Sequence, residues 1–107
     1  MEKDLDEKVK ELQLMEHNLS NLLFQKQTFQ LELGEITSAS EELEASKGDV
    51  FKIVGNVMIK SQKEKLKKEL DEKKDLISMR IKNIEKQEKV LHATVDELRK
   101  IVLKQMK

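Results

Sequence analysis

The sequence predicts a mainly α chain: a long antiparallel two-helix coiled coil with one β-hairpin at its base, whose hairpins assemble into a β-barrel in the oligomer. Three observations carry this expectation. Apolar residues recur in alternating steps of three and four over both halves of the chain, Gly55-Asn56 sits between two β-branched runs, and both faces of those runs are apolar.

The first helix is expected over about residues 3–47. One series of seam positions reads Leu5, Leu12, Leu19, Lys26, Leu33, Ser40, and the other Lys8, Met15, Leu22, Phe29, Ile36, Leu43; nine of these twelve are apolar. That is a coiled-coil stripe over more than three heptads. Lys26 is a polar seam position of the kind that fixes register at some cost in stability. Gly34 weakens the helix by about 1 kcal/mol relative to Ala, and Ser38-Ala39-Ser40-Glu41 has the form of a capping box. Because Ile36 and Leu43 carry the seam across that stretch, one continuous helix is expected, with Gly48 as its left-handed terminating residue.

The hairpin is expected over about 50–60. Gly at the first central position is the type II′ signal. It pairs Val54 with Val57, Ile53 with Met58 and Lys52 with Ile59. One face then carries Val50, Val54, Val57 and Ile59 with Lys52; the other carries Phe51, Ile53 and Met58 with Lys60. The second helix is expected over about 61–106. Ser61-Gln62-Lys63-Glu64 gives Ser61 as N-cap and Glu64 reaching back to it. Its seam reads Leu70, Ile77, Ile84, Leu91, Leu98, Gln105 alternating with Lys67, Lys74, Ile81, Glu88, Val95, Val102. Helices of about 45 residues are each roughly 65–70 Å long. Together the elements form a single domain over 1–107.

Composition narrows the function classes. Charged residues make up 39% of the chain and aromatics 3%, which suits long solvated helices with a narrow apolar stripe. Lys plus Arg equals Asp plus Glu at 21 each, so the basic excess of a nucleic-acid binder is missing. There is no Cys for a disulfide framework or thiolate metal site. No apolar run approaches membrane-span length, and Met1-Glu2-Lys3-Asp4 opens no signal peptide, so a soluble, cytoplasmic protein is expected. No phosphate-binding glycine motif is present, and no cofactor is expected. His17 and His92 lack a convincing ligand set and read as solvated helix residues. Ser61 has no base placed to activate it. An enzyme would need a convergent polar site, and none is legible.

An isolated hairpin is marginal in water, and this one has apolar faces and open edges. Closure of several hairpins into a barrel removes the edges. Assembly is thus expected from residues 50–60 alone.

The run Val50-Phe51-Lys52-Ile53-Val54-Gly55-Asn56-Val57-Met58-Ile59 resembles the hairpin signature of β-type prefoldin subunits. Gln25-Lys26-Gln27 followed by Gln30-Leu31-Glu32-Leu33, and Arg80-Ile81 with Ile84-Glu85-Lys86-Gln87-Glu88, are similar to the same family in character. Phe51 stands where the family often has Tyr. A single hairpin suits the β-type, since the α-type carries two. The resemblance covers about residues 5–105. It implies an archaeal-like, ATP-independent holdase, assembled as an α2β4 hexamer from an α-type subunit and further β copies. Six coiled coils would hang from two β-barrels, hold non-native client proteins at their tips and pass them to a group II chaperonin.

In that picture Val50, Phe51, Ile53, Val54, Gly55, Val57, Met58 and Ile59 form the oligomerisation hairpin. The tips, roughly 1–20 and 92–107, offer Val9, Leu14, Ile101, Leu103 and Met106 off the seam. Partly splayed ends would add Leu5, Leu12, Met15, Leu98 and Val102. Methionine suits a promiscuous surface because it is flexible and polarizable. Against this stands the reading that these residues only seal the coil, since Leu23, Phe24 and Leu31 are off the seam in mid-helix too. A passive coiled-coil oligomerisation module or scaffold is the alternative function.

Overall fold

The computed structural model describes residues 2–106. Two long helices flank a two-stranded antiparallel hairpin, in the order α1 (Glu2–Ala45), β1 (Val50–Val54), β2 (Val57–Ser61), α2 (Lys63–Met106). These elements divide into two compact units. One contains residues 29–81 with the hairpin, and the other pairs 2–28 with 82–106.

In the hairpin unit, β-branched residues form the strands because their side chains pack well on a pleated surface. The register is Val50 with Ser61, Phe51 with Lys60, Lys52 with Ile59, Ile53 with Met58 and Val54 with Val57, as the Gly55-Asn56 turn demands. Gly55 has φ of 61° and no non-glycine residue has positive φ among the described residues. Positive φ at the first central residue alone matches type II′ rather than type I′, which needs it at both. Below the hairpin, Ile36, Ile77 and Ile81 form a buried cluster against Phe29, Leu33 and Leu70. Each such isoleucine contributes about 1.5–3 kcal/mol by leaving water. The Arg80 guanidinium lies 5.7 Å from the centre of the Phe29 ring, adding a cation–π contact between the helices.

α1 runs unbroken through Gly34. The Thr37 hydroxyl donates to the Leu33 carbonyl at 2.9 Å beside it, and Ile36, two residues on, is buried. Packing of the seam outweighs the glycine's cost.

Three local expectations are corrected here. Gly48 is not left-handed, since positive φ occurs at Gly55 alone among the glycines described. α1 instead closes at Ala45, where the Ser46 amide donates to the Leu43 carbonyl at 3.2 Å and the Lys63 ammonium donates to the carbonyls of Glu44 and Ser46 at 3.0 and 3.2 Å. Ser61 is not the N-cap of α2. It is the last residue of β2, paired with Val50, and the Gln62 carbonyl accepts the first bond of the helix from Leu66 at 3.0 Å. Lys67 and Lys74 are exposed rather than in the seam; Lys63, Leu66, Glu69 and Leu70 are the partly covered residues at this end of α2. Lys67 turns to the flank, where its ammonium meets the Glu44 carboxylate at 2.6 Å.

In the other unit the seam follows the heptads closely. Leu5, Lys8, Leu12, Met15, Leu19, Leu22 and Lys26 are all partly covered on α1, and the off-seam Val9 joins them. On α2, Ile84, Val95 and Val102 are buried, Val95 to 1% exposure. Pairs such as Glu16 with Arg99 and Lys26 with Glu88 show the helices running antiparallel, since one number rises as the other falls.

Candidate functional site: hairpin edges and coil ends

Two surfaces carry the site residues. On the hairpin, Phe51, Lys52, Ile53, Val54, Gly55, Val57, Met58 and Ile59 are all exposed, and Val50 is half-buried. Ile53 is 69% and Met58 65% exposed, unusual for large apolar side chains in strands. The sheet has two strands only, so each strand has a free edge. A two-residue turn makes Val54 and Val57 a hydrogen-bonded pair, and such pairs alternate along an antiparallel ladder. The outward-pointing N–H and C=O groups are therefore those of Phe51 and Ile53 on β1 and of Met58 and Lys60 on β2. Every apolar residue on the Phe51–Ile53–Met58 face is open to solvent, and the edge amides beside them lack partners within the hairpin.

The opposite face is tethered. The Lys52 ammonium donates to the Glu69 carboxylate of α2 at 2.8 Å, fixing how the hairpin leans on the helix. That hydrogen bond holds the Glu69 carboxyl below the ordinary glutamate range, against the opposing effect of its partial burial. Similarly, the hydrogen bond from Lys67 holds Glu44 low and raises the lysine. A groove of about 420 Å³ opens between this hairpin and the helices, lined by Leu43, Val50, Phe51, Ile53, Leu66 and Leu70 among others.

At the coil ends, Leu14, Ile101, Leu103 and Met106 are exposed, Leu103 to 61%, while Val9 is partly covered. The splaying expected at the ends is absent. Leu5, Leu12, Met15 and Leu98 are half-buried and Val102 is buried, so those five are covered by the closed coil. Met1 and Lys107, the outermost residues of the expected tip, lie outside the described residues. Exposed apolar side chains also occur elsewhere on the helices: Leu23, Phe24 and Val90 in the coil-end unit, and Leu31, Leu76 and Met79 in the hairpin unit. Leu76, Met79 and Val90 escaped the sequence reading; their signal is that each is apolar yet off the heptad seam.

Inside the coil-end seam lies a charged pair. The Lys26 ammonium meets the Glu88 carboxylate at 2.9 Å, with side chains 21% and 12% exposed. The hydrogen bond to Glu88 raises the lysine's pKa above its ordinary value, overcoming the lowering effect of burial. Among the described residues, no group of three or more His, Cys, Asp or Glu side chains is placed to hold a metal ion, and no helix is long and apolar enough to cross a membrane.

An exposed strand pair with free edges, set between two helices with a heptad seam, is an unfinished sheet of the kind that pairs with further strands. Comparison with known proteins places it within one family. The prefoldin subunit family matches residues 4–107, and the chain belongs to that family. It is 38% identical over 88 residues to the prefoldin subunit beta of Saccharolobus islandicus (strain L.S.2.15 / Lassen #1), covering 80% of this chain and 70% of that protein. It is 34% identical over 101 residues to the prefoldin subunit beta of Sulfurisphaera tokodaii, covering 92% and 81%. Among solved structures, the prefoldin beta subunit from Thermococcus strain KS-1 superposes with a TM-score of 0.89 at 30% identity, over 97% of this chain and 93% of that one. The family is one of chaperones, and the β-type character read from the single hairpin agrees with these relatives.

Proposed function

We propose that this chain is the β-type subunit of an ATP-independent holdase, acting as a single domain in the cytoplasm without enzymatic activity. Its hairpin joins those of an α-type subunit and further β copies in an α2β4 hexamer. The coil ends capture non-native proteins and yield them to a group II chaperonin. The observation that carries the capture role is the cluster of exposed, off-seam Leu14, Ile101, Leu103 and Met106 around a closed seam. The coil leaves each of them at least 40% exposed, and weak individual contacts gain strength when several coils surround one client. Relatives named prefoldin subunit beta support the assembly role.

The test replaces Leu14, Ile101 and Leu103 with Ser together, assembles the variant with an α-type subunit and follows light scattering of a denatured client. Capture at the coil ends predicts an intact assembly with weakened suppression of aggregation. Full suppression by an intact assembly would overturn the reading, as would a wild-type assembly that leaves scattering unchanged, the behaviour of a passive scaffold.

A further inference from the structure

We infer that the Lys26–Glu88 pair selects which helices may pair, admitting α1 with α2 and rejecting like with like. Lys26 and Glu88 both occupy heptad seam positions, are mostly covered, and meet at 2.9 Å within one unit. The other interhelical ion pairs, Glu16 with Arg99 and Glu44 with Lys67, lie on the exposed flanks. A seam pair that is desolvated this far costs energy relative to two well-packed leucines. Selectivity is what such a pair supplies in return.

Apart from Lys8 near the start of α1, the seam residues around the pair offer little discrimination. Leu12, Met15, Leu19 and Leu22 on α1, and Ile84, Leu91, Val95 and Leu98 on α2, are apolar on both helices. Apolar heptads of this kind associate with one another in several combinations. In a parallel, in-register pair, each seam residue faces its own copy. Two α1 helices from separate chains would then set Lys26 against Lys26, and two α2 helices would set Glu88 against Glu88. Either arrangement buries like charges without a counter-ion. Only α1 against α2 neutralises both, whether within one chain or between chains that exchange helices. The device therefore acts on helix identity, and the hairpin then confines the pairing to one chain. A polymerising or tangled assembly is the failure it guards against, in a protein that leaves apolar side chains exposed on its hairpin and coil ends.

The experiment exploits the absence of cysteine from the chain. A single Leu19→Cys, one heptad before Lys26, reports parallel α1–α1 pairing as a disulfide-linked dimer on mild oxidation. It is placed in four backgrounds: wild type, Lys26→Glu, the swap Lys26→Glu/Glu88→Lys, and Lys26→Leu/Glu88→Leu. Lys26→Glu is expected to melt lowest by circular dichroism, because two carboxylates then meet in the seam. The swap is expected to recover most of that loss and to keep the dimer fraction at the wild-type level. The double-leucine variant is expected to melt at or above wild type, yet give a several-fold larger dimer fraction. A swap that melts as low as Lys26→Glu would overturn the pair's role. So would a double-leucine variant with an unchanged dimer fraction, since charge would then contribute nothing to the choice of partner. The readouts involve neither client nor chaperonin, so they stand or fall separately from the holdase function.

Discussion

The two units leave apolar surface exposed in different ways, one beside open strand edges and the other on closed helices. In the hairpin unit, Phe51, Ile53 and Met58 lie beside backbone amides and carbonyls that have no partner among the described residues. An unpaired strand edge is directional: it accepts only another strand, in register, at a fixed spacing. At the coil ends, Leu14, Ile101, Leu103 and Met106 project from helices whose backbone groups are already bonded within the helix. They offer area without direction. The first arrangement suits specific pairing, and the second suits contact with surfaces of many shapes.

The sharpest way to break this contrast is Ile53→Pro. The Ile53 N–H points outward from the ladder, so proline leaves the hairpin's own bonds in place and removes a donor to the next strand. Loss of the assembled species in native mass spectrometry, with helical circular dichroism retained, is the expected result; an intact assembly would show that the β1 edge is not used. A smaller effect is expected from Ile77→Ala, which empties part of the Ile36–Ile77–Ile81 cluster. Ile77 is 4% exposed, so a loss of about 2–5 kcal/mol on denaturant unfolding is expected, with the hairpin face unaltered.

The smallest expected effect concerns acid. Glu69 and Glu44 are held below the ordinary carboxylate value by hydrogen bonds from Lys52 and Lys67. Lowered folded values mean that their stabilising effect is complete above the unfolded carboxylate pKa, about 4.3, and is lost as pH falls through the folded values. Both pairs are well exposed and screened by salt. A slightly flatter melting-temperature profile between neutral and acid pH is therefore expected for Lys52→Ala, most visible at low ionic strength. An unchanged slope would show that the tether contributes no pH-dependent stability.

Much of the fold was legible because its determinants are local and periodic. Every seam position assigned on α1 from Leu5 to Leu43 is at least partly covered, and the hairpin register follows from the two-residue turn. The errors cluster where the helices meet the hairpin. Ser61 reads as a cap from its neighbours, but pairing with Val50 draws it into β2. Gly48 reads as a helix terminator, yet a lysine far along the chain satisfies the last carbonyls. Lys67 fits the heptad count, but near the strands Leu66 is the residue turned inward and Lys67 goes to Glu44. Each of these depends on a partner distant in sequence. The coil-end residues were legible as off-seam apolars, while the closure of Leu5, Leu12, Met15, Leu98 and Val102 required the packed pair of helices to be seen.

The Lys63 ammonium on the carbonyls of Glu44 and Ser46 bears on the order of folding. The donor belongs to the first turn of α2, and the acceptors belong to the end of α1 and the residue after it. The α1 terminus is completed only when β1 and β2 have brought Lys63 to it. Fraying of the first turn of α2 therefore releases the last carbonyls of α1. Amide hydrogen exchange in the last turn of α1 should rise and fall with that in the first turn of α2, even though the whole hairpin lies between them in the chain.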